Sequence, residues 1–161
     1  MSEEVSPQRQ LVLEQKYRMF ENSVQVGEHL DSKASALLQA GGLVIALTGV
    51  VKIPGFVANP DLWSTIGIAI AFFAFAGMVL LAVFAGLPSD FGHSGNTNWD
   101  EMFADYIHQD VDACFDQILA DLLEAIERSV QRNRSKARYV TWAAVLFAVQ
   151  ILGVLFLALV A

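Results

Sequence analysis

Polar and apolar positions fall in long blocks along this chain, and each block carries a helical period. Over residues 9–33, Leu13, Tyr17, Phe20, Val24 and Gly27 recur at spacings of four and three. That is one face of an amphipathic helix, and Glu14, Lys16, Arg18 and Glu21 lie off it. Continuing the stripe reaches Asp31, Ala34 and Leu38, so a carboxylate falls on the packing face just where the polar block ends. Residues 34–51 then carry no charge. At about 1.5 Å per residue such a run reaches about 27 Å, enough to cross a hydrocarbon core when Lys33 and Lys52 extend to the two surfaces. The pattern predicts a first transmembrane helix over residues 34–52. Pro54-Gly55 and Asn59-Pro60 predict a turn after it. The next charge-free run, residues 62–89, predicts a second span over 62–87, with Trp63 at one interface and Gly86 and Pro88 at its end.

Residues 89–98 have loop composition, and Thr97 or Asn98 is suited to cap a following helix. From residue 98 to 138 the helical period returns in Phe103, Ile107, Val111, Phe115, Ile118, Leu122, Ile126 and Val130. This segment reads as one helix, or as two broken near His108-Gln109. It leads into a third span over residues 139–161, with Tyr139 and Trp142 at its start and Gln150 near its middle. The predicted architecture is an all-α membrane protein, one domain over residues 1–161. Three transmembrane helices join a cytoplasmic helical stalk formed by the N-terminal helix and the 98–138 segment.

Composition supports that class: 55% of residues are hydrophobic and 17% charged, with a mean hydropathy of +0.46. The net charge of −7 comes mostly from residues 88–138, where ten acids face five basic residues. An acidic surface argues against nucleic acid as a partner, since phosphate binding relies on Lys and Arg. The first five residues are acidic and lack the apolar region of a signal peptide, and Ser2 stands where myristoylation needs glycine. The single cysteine, Cys114, sits among Asp110, Asp112 and Asp116, which disfavours a reactive thiolate. Charge also orients the spans. Nine of the ten Lys and Arg residues lie before the first span or between the second and third, against Lys52 alone on the other side. The N-terminus and the 98–138 segment are therefore expected in the cytoplasm and the C-terminus outside, in a plasma or inner membrane.

Several positions stand out as structural or coupling candidates at the membrane junctions and within the third span. Asp31 lies on the packing stripe and is expected to pair with Arg134, Lys136 or Arg138 at the base of the third span, while Lys33 snorkels beside it. Gln150 needs a hydrogen-bond partner in mid-membrane, from another helix or another copy. Gly42-x-x-x-Ala46 in the first span, and Gly67 with Ala71 in the second, are expected to let helices approach closely, the latter facing the first helix. Glu101, Asp105, His108, Asp112 and Asp116 share one helix face, and a metal site there would also need Glu28, His29 or Asp31. A solvated acidic face is the simpler reading. No phosphate-binding, dinucleotide, nucleophile or zinc motif occurs, so neither an enzyme nor a cofactor is expected.

The run Asp31-x-Lys33-Ala34-x-x-Leu37-Leu38, at the end of an amphipathic helix that continues into the first span, resembles the membrane effector module of the Pycsar anti-phage systems. The second span, the charged helical insert and the basic run from Arg128 to Arg138 continue the resemblance. The layout is also similar to the SLATT-type effectors of bacterial conflict systems. This resemblance implies an oligomeric protein that perturbs membrane integrity when a nucleotide signal arrives. No separate cyclic-nucleotide-binding domain is present in these 161 residues, so a signal is expected to act on the stalk or through a partner protein. Two other readings follow from the residues: a structural or assembly subunit of a larger membrane complex, and, less directly, a metal-binding protein using the His108 face.

Overall fold

The computed structural model describes residues 7–58, 61–86 and 110–160. They form three helices, α1 (Pro7–Ala58), α2 (Leu62–Gly86) and α3 (Val111–Val160). Among the described residues only Asp61 and Asp110 lie outside a helix. Each is the residue that starts one. Asp61 accepts a hydrogen bond from the Ser64 backbone N–H at 3.0 Å, and Asp110 accepts one from Asp112 N–H at 2.9 Å. Each carboxylate thus answers a donor that the first helical turn leaves without a partner. The predicted cap at Thr97 or Asn98, and the break near His108, lie outside the described residues.

All three helices are long and apolar enough to cross a membrane. The first runs through Pro54-Gly55, where a turn was predicted, to Ala58, and Asn59-Pro60 lies outside the described residues. A proline removes one backbone donor. That loss does not end the helix here, which continues for four residues beyond Pro54.

Two compact units divide the chain. One contains Met1–Glu28 and Pro88–Arg134, the other His29–Leu87 and Ser135–Ala161. In the first unit α1 and α3 run parallel. Arg9 pairs with Asp112 and lies 5.3 Å from the centroid of the Phe115 ring, an ion pair backed by a cation–π contact. Farther along, the buried Ser23 hydroxyl donates to the Phe20 carbonyl (2.7 Å) and lies in hydrogen-bond reach of Ser129 Oγ (3.0 Å). Asn133 Nδ2 donates to the Ser23 carbonyl at 2.6 Å.

This differs from the predicted stripes. Tyr17, expected inside, is 56% exposed, whereas Ser23 is 8% exposed. On α3, Leu122 and Ala125 are buried while Ile118 and Val130 are exposed. The helices meet on small residues, Ser23 and Gly27 against Ser129 and Asn133, and a Cβ added to Gly27 would stand 3.0 Å from Asn133 Oδ1. Close approach on small side chains turns the larger apolar residues outward.

The second unit is the three-span bundle. On α2, Gly67, Ala71, Ala74, Met78, Ala82 and Ala85 are buried at spacings of four and three. Phe72 and Phe73 point away from the bundle. A Cβ on Gly67 would meet Leu157 Cγ at 2.6 Å, and one on Gly153 would lie 3.4 Å from the Ala71 backbone nitrogen. The small stripe of α2 therefore faces α3 at this level, rather than the first helix as its sequence suggested. Without a hydrophobic force between helices in lipid, such close packing is what holds spans together. Trp63 stacks edge-on to Phe156 at a centroid distance of 6.3 Å, and Phe84 lies 6.3 Å from Tyr139.

Candidate functional site

The two buried polar side chains of the span bundle, Lys136 and Gln150, both reach from α3 to α1 across the seam between these helices. On α3 the buried positions Lys136, Ala143, Gln150 and Leu157 recur every seven residues. On α1, Ala34 and Gly41 are buried at the same spacing. Seven residues are nearly two full helical turns, so each set forms one narrow line along its helix. Two residues of the α3 line reach α1, Lys136 at Asp31 and Gln150 at Gly41, while Leu157 packs on Gly67 of α2.

At the first, Lys136 Nζ donates to both oxygens of Asp31 at 2.6 Å. The pair is lopsided: the Lys136 side chain is 8% exposed and that of Asp31 48%. The aliphatic stem of Lys136 lies in the seam and its ammonium reaches toward the wetter carboxylate. Of the three cations offered to Asp31 by the sequence, the seven-residue line selects Lys136. Arg134 and Arg138 lie two residues away on either side, which turns them by about 200° at ~100° per residue, and both are exposed. Lys33 is exposed as well.

The second contact lies deeper. Gln150 is 0% exposed, and its Nε2 donates to the carbonyl of Gly41 at 2.9 Å. Its Oε1 is buried without a hydrogen-bond partner. A Cβ on Gly41 would overlap Met78 Cε, and it would stand 3.0 Å from Gln150 Oε1 and 3.3 Å from Phe75 Cδ2. Gly41 is thus the glycine on which the spans converge. Its neighbour Gly42 meets only Phe75 Cζ, at 3.9 Å, and Ala46 is exposed. Gly67 and Ala71 are both buried.

Sequence reasoning passed over Gly41 and did not choose among the cations. The signal that finds both is the seven-residue line through Gln150, traced back to Lys136, and the matching line from Ala34 to Gly41.

Elsewhere, Asp61 has its carboxyl held below the ordinary value of 3.8, first by the Ser64 side-chain hydrogen bond and then by the Ser64 backbone N–H. Among the described residues no group of three His, Cys, Asp or Glu side chains is placed to hold a metal ion. Glu101, Asp105 and His108 lie outside the described residues. Asp112 pairs with Arg9. Chemically, the seam holds two helices in register through polar contacts within an otherwise apolar bundle.

Comparison with known proteins is consistent with this architecture. No curated protein and no solved structure matches the chain. Residues 17–161, which include all three spans and both halves of the seam, match the family described as the Pycsar effector protein domain. The chain therefore belongs to the Pycsar effector family, membrane effectors of anti-phage defence.

Proposed function

We propose that this protein assembles in the plasma or inner membrane and breaches it when the defence signal arrives. The N-terminus and the 98–138 segment lie in the cytoplasm in this reading, and the C-terminus lies outside. Pycsar effectors act downstream of a cyclic nucleotide signal, and the membrane is the target that a three-span effector without a catalytic motif can act on. The observation that carries the reading is the polar seam itself. A buried lysine and a buried glutamine lie on one line between two spans, where a passive anchor would place apolar side chains. Polar and ionisable groups inside a membrane are expensive, and they mark bundles with a task in the bilayer.

Assembly is supported by how little of each span the single chain covers. The share buried is 11%, 28% and 22% for the most apolar window of the first, second and third spans. Lipid or further copies must cover the rest, and the exposed Ala46 of the Gly42-x-x-x-Ala46 pair suits close approach of another copy.

Induced expression with a potential-sensitive dye tests the proposal. Depolarisation that accompanies arrest of growth is the expected result. Unchanged potential under phage challenge refutes it, and stoichiometric foreign subunits in mild detergent would favour an assembly subunit instead.

A further inference from the structure

Gln150 is a poor choice for a purely static bundle. Its amide offers two donors and two acceptor sites, and the bundle uses one donor, on a Gly41 carbonyl that also belongs to a helix. Oε1 is sealed in without a partner. Turning the amide over does not help, because Oε1 would then face the Gly41 carbonyl, acceptor against acceptor. An apolar side chain of the same volume would fill the space without leaving a buried acceptor unsatisfied. Water, by contrast, satisfies every site of the amide. The closed arrangement is therefore biased against itself at one residue, midway along the third span.

Gly41 makes the arrangement possible. Only a bare Cα lets the amide reach the carbonyl while Met78, itself 0% exposed, closes over the pair. Gly41 and Gln150 form a matched set: the contact exists while α1 and α3 touch at this level and is lost when they part.

We propose that the Gln150–Gly41 contact is a releasable latch, and that when the α1–α3 seam opens, Gln150 turns to water and lines a hydrated path through the span layer. The inference rests on the membrane-breaching reading and assigns the residues that control it. Opening exchanges one hydrogen bond and one orphaned acceptor for a fully hydrated amide, so the amide favours the open state. The apolar packing of Met78 and Phe75 around Gly41 favours the closed one.

The test uses the full chain, purified in mild detergent and reconstituted into phosphatidylethanolamine–phosphatidylglycerol vesicles holding a self-quenching dye. Melting is recorded in detergent. Gln150→Leu is expected to melt at or above the wild-type midpoint and to release dye at least tenfold more slowly. Gly41→Ala, whose Cβ displaces Met78 and the amide, is expected to release dye at least tenfold faster. A Gln150→Leu protein that melts lower and leaks faster would make Gln150 simple glue and overturn the latch. Wild-type leakage from both variants would overturn it too, while leaving the membrane-breaching reading intact. If wild type and Gly41→Ala both retain the dye and leave expressing cells polarised, the membrane-breaching reading fails, and the latch with it.

Discussion

Asp31 and Lys136 share two hydrogen bonds but not the same surroundings, and the difference sets what each substitution does. Asp31→Asn leaves a buried ammonium with no counter-charge. Breaking a fully buried pair costs about 3–5 kcal/mol, and the half-exposed position of Asp31 lowers the expected loss here to about 2 kcal/mol. Lys136→Met keeps the stem volume and leaves a carboxylate that water reaches, so the expected loss is below about 1 kcal/mol. Thermal unfolding of both variants in detergent checks the asymmetry, and equal losses would count against a seam-buried lysine. Asp61 gives a pH prediction. Its carboxyl is held below 3.8 by the Ser64 hydrogen bonds. Its contribution to stability is therefore complete above that value and is lost as the pH falls below it toward the folded-state value. Asp61→Asn, which keeps a capping side chain, is expected to remove that acid-limb loss from the melting profile.

At the scale of helices, two small-residue positions, Gly67 and Ala46, separate packing within one chain from packing between chains. A side chain on Gly67 runs into Leu157, which is itself buried. Gly67→Ala is expected to lower stability by about 1–3 kcal/mol, the usual range for overpacking. Ala46 is exposed, whereas its partner in the small-residue pair, Gly42, is half-buried beside Phe75. Ala46→Leu is expected to leave the melting midpoint of the protomer nearly unchanged while weakening self-association, as read by cross-linking in mild detergent. Unaltered cross-linking would remove Ala46 from the assembly surface. The helices themselves were legible in the sequence, but their rotation was not. Leu13, Phe20 and Leu122 sit on the expected faces. Tyr17 and Ser23 exchange roles, because the parallel pair meets on Ser23, Gly27, Ser129 and Asn133. Hydrophobicity ranks Tyr17 above Ser23; close approach ranks them the other way.

For the whole molecule, the distribution of Lys and Arg gives the clearest expectation. With nine of ten on one side of the spans, a reporter fused after residue 161 is expected to be active outside the cytoplasm, and one fused at the N-terminus inside. Adding a block of Lys residues beside Lys52 is expected to disturb that orientation. Reporter activity on the opposite sides would reverse the proposed topology.

The sequence by itself determined that this is an all-α protein with three spans and polar helical segments at two junctions. Those properties are local: a charge-free run of sufficient length finds its place in lipid whatever its neighbours are. Only the tertiary structure decided which side chains meet. Adjacent residues on a helix differ by about 100° in direction. The choice between Gly41 and Gly42, or among Arg134, Lys136 and Arg138, is therefore a choice of helix rotation. That rotation is set by the other helices, through the fit of Met78, Phe75 and Leu157 against glycines. The sequence of one helix puts Asp31 on a packing stripe, but that Lys136 meets it, and that Gly41 meets Gln150, follows only when a second helix is laid against the first.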